Sequence, residues 1–122
     1  MSRGPVVEAM VQVGDMEIPY VCAGRGPTIL VLEHPTADVD QRVWEGWTAR
    51  YRLIRTRLPI DEASAPRIVA LVEGLGLERP PVLLAGGDGT WLPRVMDALD
   101  ACGEVVGFVW NLGESGPFAL GD

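Results

Sequence analysis

Two short runs, Thr28 to Leu32 and Val82 to Ala85, are almost wholly apolar and are bounded by glycine and proline. They constrain the chain more than any other feature. Runs this short and unalternated suit strands covered on both faces, as in a parallel sheet. A parallel sheet needs long crossovers, usually helical, between its strands. The segments between the runs read accordingly. Val39 to Ala49 predicts a helix with Val43, Trp44 and Trp47 as its apolar stripe, and Tyr51 to Leu58 predicts a strand cut off by Pro59. Ser64 can cap a helix with Pro66 in its first turn, running to about Leu75 and stopped by Gly76. Trp91 to Ala101 predicts another helix, with Pro93 tolerated in its first turn, and Val105 to Trp110 a final strand. Before all of these, Val6 to Val13 and Met16 to Ala23 flank the turn signal Gly14-Asp15, which predicts a hairpin. Pro19 points to an edge or bulged strand there. The expected architecture is one α/β domain over residues 1–122, mostly parallel and doubly wound, with an N-terminal antiparallel hairpin and an irregular tail over 111–122.

Charge and cysteine content narrow the function. The net charge is −7, and all ten basic residues are arginine. An acidic chain with no basic run predicts no nucleic-acid partner, because phosphate neutralisation drives most of that affinity. No apolar stretch approaches the roughly 20 residues that span a bilayer, so no membrane partner is expected. The residues from Met1 to Pro5 lack the apolar core of a signal peptide. Cys22 and Cys102 form neither a disulfide framework nor a zinc site and are expected free and partly buried, which fits a cytoplasmic protein. Glu33, Asp38 and Asp40 are read as solvated acids, so no metal is expected. Trp44, Trp47, Trp91 and Trp110 are read as core or interface.

The order of elements, together with local wording, resembles the first six strands of the α/β-hydrolase family. Gly24-Arg25-Gly26-Pro27 before Thr28 resembles the family's entry into its third strand. Glu33-His34-Pro35 sits where the family often writes His-Gly near its oxyanion hole, and Trp44 matches a frequent Trp in its first helix. Arg50 to Ile54 with Arg57-Leu58-Pro59, and Leu75-Gly76-Leu77, match the next strand and the approach to the nucleophile strand. The likeness runs from about Val11 to Trp110. It implies a sheet truncated after its sixth strand, with that strand left as an open edge that a homodimer could cover near Trp110 and Phe118.

The resemblance also implies what is missing. The family's Gly-x-Ser-x-Gly elbow aligns with Ala85-Gly86-Gly87-Asp88-Gly89, which puts Gly87 at the nucleophile position. A shift of one residue puts Asp88 there instead, as in family members that use an aspartate nucleophile. Ser2, Ser64 and Ser115 are the only serines and none lies in an elbow, while the family's later acid and base His have no counterpart. The sole histidine, His34, matches the oxyanion loop.

These features imply a degenerate small-molecule-binding protein or a non-hydrolytic enzyme of cyclase, lyase or isomerase type, without cofactor. His34 with Asp88 or Glu33 would carry proton transfer, and Pro35, Gly86, Gly87, Gly89 and Thr90 would line a site for a carbonyl or carboxyl ligand. The alternatives are a hydrolase with Asp88 as nucleophile or a structural, oligomerising subunit. Gly86-Gly87-Asp88-Gly89-Thr90 also resembles the phosphate-cradling turn of NAD kinases and diacylglycerol kinases, a more remote alternative. Any site is expected between the Glu33-His34-Pro35 loop and the turn from Gly86 to Thr90, at strand C-terminal ends.

Overall fold

A computed structural model describes residues 6–34, 41–57, 65–85 and 92–111. In chain order the elements are β1 (Val7–Val13), β2 (Met16–Ala23), β3 (Thr28–Glu33), α1 (Gln41–Thr48), β4 (Arg52–Arg57), α2 (Ala65–Gly74), β5 (Val82–Ala85), α3 (Leu92–Asp100) and β6 (Val109–Asn111). The strands form one six-stranded sheet in the order β1-β2-β4-β3-β5-β6. The β1·β2 and β2·β4 pairs are antiparallel, and β3·β4, β3·β5 and β5·β6 are parallel. This is the mostly parallel sheet with an N-terminal hairpin that the apolar runs predict.

Alternation along β3 divides the core in two. Leu30 and Leu32 point to one face, with Ile68, Leu71 and Val72 of α2 and Val95 and Leu99 of α3. Ile29 and Val31 point to the other, with Trp44 and Trp47 of α1 and Leu53 and Leu83. Covering both faces is why β3 and β5 are apolar at almost every position, and all of Ile29 to Glu33 and Val82 to Ala85 are buried. The tryptophans Trp44 and Trp47 are core residues in edge-to-face contact at 6.2 Å. Cys22 and Cys102 are free and partly buried. Trp91 lies outside the described residues.

Turn chemistry fixes the connections. Gly14, at φ 60°, makes the two-residue turn that brings Val13 opposite Met16. Gly24, at φ 95°, lies so close to β4 that a Cβ would overlap the carbonyl oxygen of Tyr51. The second helix ends as the sequence predicts. Gly76 takes φ 70°, and the Leu77 N–H reaches back to the Val72 carbonyl at 3.1 Å.

Three expectations need correction. Pro19 does not make β2 an edge, because β2 lies between β1 and β4. A two-residue turn closes on a hydrogen-bonded pair, so along β1·β2 the Met10↔Pro19 pair is a non-bonded one, and the N–H that proline lacks would face β4. The β2·β4 ladder stops at Val21, and the Thr56 hydroxyl donates to the Pro19 carbonyl at 2.9 Å instead. The last strand also begins later than Val105. The Val105 and Val106 N–H groups turn back to the Cys102 carbonyl, and pairing with the β5 side starts where the Gly107 N–H meets the Pro80 carbonyl at 3.0 Å. The helices α1 and α3 each end one residue before the periodicity predicts, at Thr48 and Asp100. Past Thr48 the N–H groups of Arg50 and Tyr51 both fold onto the Trp47 carbonyl.

Candidate functional site

The C-terminal ends of β3 and β5 lie side by side, with Glu33 opposite Ala85. The ladder continues one step further, because the His34 N–H donates to the Ala85 carbonyl at 2.9 Å. His34 therefore leaves the sheet directly beside the residue that leads into Gly86. Its side chain is partly buried. Pro35, Gly86, Gly87, Asp88, Gly89 and Thr90 lie outside the described residues, as do Asp38 and Asp40. The two segments singled out in the sequence thus start from adjacent strand ends, as expected. Among the described residues no group of three or more His, Cys, Asp or Glu side chains could hold a metal.

Glu33 is not an open carboxylate. Its side chain is only 6% exposed and is held by Arg55, whose Nε and Nη2 donate to the two carboxylate oxygens at 3.1 and 3.4 Å. Such a two-pronged contact is among the stronger charge-assisted pairings. The Arg55 guanidinium also lies over the Trp44 ring, 4.6 Å from its centroid. Arg55 in β4 therefore ties the end of β3 to α1. Sequence reasoning missed Arg55 and took Trp44 as a stripe and core residue. The available signal was Arg55 itself, a charge set inside the otherwise sheltered stretch Leu53 to Thr56. A buried strand with a central cation needs an anion on its neighbour.

A groove of about 490 Å³ opens on the other flank of Glu33. Directly opposed residues share a face of the sheet, so the register defines its floor. One row runs Glu8, Val21, Arg55 and Val31, and the next contains Met10 with Pro19 and Arg57 with Glu33. Val31 packs in the α1 cluster, which puts both rows on the α1 face, beyond the helix over the hairpin. Glu33, at the end of β3, lines this groove.

This sheet order, with a hairpin leading into a parallel sheet and helices on both faces, is the α/β-hydrolase fold. No family model and no curated protein matches the sequence. Solved structures do match in shape. A bacterial membrane phospholipase A, a virulence factor, has a TM-score of 0.67 at 21% identity, over 88% of this chain and 40% of its own. An α/β-hydrolase-fold protein from Nakamurella multipartita gives 0.64 at 20% identity, over 86% and 40%. A serine hydrolase involved in carbazole degradation gives 0.67 at 14% identity, over 88% and 47%. At these identities the likeness is one of fold, and the chain spans less than half the length of each of these proteins.

Proposed function

We propose that this chain binds a small molecule carrying a carbonyl or carboxyl group at the rim formed by the ends of β3 and β5, and that any chemistry there is non-hydrolytic. The observation that carries the reading is the His34 N–H bond to the Ala85 carbonyl, which sets the origins of the His34 and Gly86 segments one ladder step apart. In open α/β sheets ligands gather at such strand ends. The Gly86-Gly87-Asp88-Gly89-Thr90 sequence offers backbone N–H groups suited to a carbonyl oxygen, and it has no serine. Glu33 is taken up by Arg55, so proton transfer falls to His34 and Asp88. Glu33 then serves to fix the strand end from which His34 departs.

The test combines binding and turnover. Butyrate and 2-butanone serve as binding probes, and p-nitrophenyl acetate as the ester probe. Binding of at least one probe should fall severalfold in His34→Ala and in Asp88→Asn while circular dichroism stays unchanged, and ester turnover should stay at background. If both variants equal the parent chain with every probe, the reading fails. Ester turnover with an acyl adduct on Asp88 would replace it with the aspartate-nucleophile alternative.

A further inference from the structure

Four of the five exposed large apolar side chains among the described residues, Val6, Val7, Met10 and Met16, belong to β1 and the ends of its hairpin. This concentration falls on an open edge. Among the described residues β1 pairs with β2 alone, over seven residues, Val7 to Val13. Natural edge strands are usually protected by lysine, proline, a bulge or short length. β1 has none of these, and its sequence Val-Glu-Ala-Met-Val-Gln-Val carries a single charge.

The direction of its free backbone groups follows from the turn. Val13 and Met16 close the two-residue loop as a hydrogen-bonded pair, so Val11, Ala9 and Val7 spend their N–H and C=O groups on β2. The corresponding groups of Glu8 and Met10 point away from the sheet. The far end of the edge is partly occupied. Gly74 of α2 lies against the Gln12 carbonyl, where an added Cβ would come within 3.3 Å. The usable stretch is therefore Val7 to Val11.

We propose that this edge is a self-association surface, on which a second copy of the chain pairs antiparallel through its own β1 and continues the sheet. A two-fold axis through Ala9 uses the whole open stretch. It sets Val7 opposite Val11 and places the outward-facing backbone groups of Glu8 opposite those of Met10 in the other copy, so each satisfies the other. In that register each glutamate faces a methionine, not the other glutamate. The pairing also joins the two grooves floored by Met10, Pro19 and Val21, and it covers the exposed Met10 side chains. Among the described residues the opposite edge, β6, offers three residues.

Sedimentation equilibrium of the whole chain, over about 10 to 200 µM, tests the proposal. The mass should rise with concentration from 13.2 kDa toward twice that value. Met10→Pro removes an outward N–H without touching the β2 ladder, and it should hold the chain at monomer mass with its far-ultraviolet circular dichroism retained. Met10→Glu, at a side chain that is already 56% exposed, sets a glutamate directly opposite each Glu8 of the other copy; it should shift the equilibrium toward monomer by tenfold or more and decides the matter if the proline variant does not fold. A parent chain that remains monomeric throughout, or a dimer equally strong in Met10→Glu, overturns it.

Discussion

Replacing Arg55 by methionine isolates the contribution of the ion pair under the candidate rim. The substitution keeps an unbranched apolar stem, removes the guanidinium that lies over Trp44, and strands the Glu33 carboxylate in a site where its side chain is 6% exposed. Removing one partner of a fully buried pair costs about 3–5 kcal/mol. Arg55 is 22% exposed, so water reaches part of the site, and the expected cost is about 2–3 kcal/mol. At roughly 4 °C per kcal/mol for a domain of this size, the melting temperature should fall by about 8–12 °C. The reverse change, Glu33→Gln, keeps an acceptor for one guanidinium N–H and leaves a cation that can reach solvent, so it should cost only about 1 kcal/mol. The double variant Glu33→Leu with Arg55→Met should be more stable than Arg55→Met alone, because no charge is left buried. Urea unfolding followed by tryptophan fluorescence measures all three. The reasoning is refuted if Arg55→Met falls within about 0.5 kcal/mol of the parent, the range of an ordinary surface change, or if Glu33→Gln proves the costlier substitution.

Other substitutions probe the joints of the fold. Gly24→Ala should destabilise the chain by more than about 2 kcal/mol in the same urea assay, since it combines a left-handed φ with overlap on the Tyr51 carbonyl. Thr56→Val removes the hydroxyl that satisfies the Pro19 carbonyl and should cost about 1–2 kcal/mol, with faster hydrogen exchange confined to β2 and the end of β4. A serine-directed fluorophosphonate should leave intact mass unchanged, because Ser2, Ser64 and Ser115 are the only serines and none belongs to an elbow sequence.

The legible part of the fold was the part that local patterning controls. The limits of β2 follow from Gly14-Asp15 and Gly24, β5 follows its apolar run, and Gly76 stops α2 where a left-handed residue is required. The less legible features depend on which strands become neighbours. Arg55 meets Glu33 only because β4 inserts between β2 and β3, a placement that no local window of sequence encodes. The same insertion is why Pro19 can sit in an inner strand: its missing donor faces β4 beyond the point where that ladder stops. Val105 and Val106 have strand-like composition, yet Gly107, pressed against the Arg79 carbonyl, delays pairing to the residues that follow. At the candidate site the adjacency of the His34 and Gly86 segments was legible through the family resemblance, whereas the occupation of Glu33 by a neighbouring strand was not.

The most direct test of a ligand site at the β3 and β5 ends is an amide chemical-shift map of the isotope-labelled chain titrated with butyrate and with 2-butanone. The account predicts that the largest shifts fall on His34, Ala85 and the residues from Gly86 to Thr90. Shifts confined to Met10, Val21 and Arg57 would move the site to the hairpin groove, and no shift at either place would contradict the binding function itself.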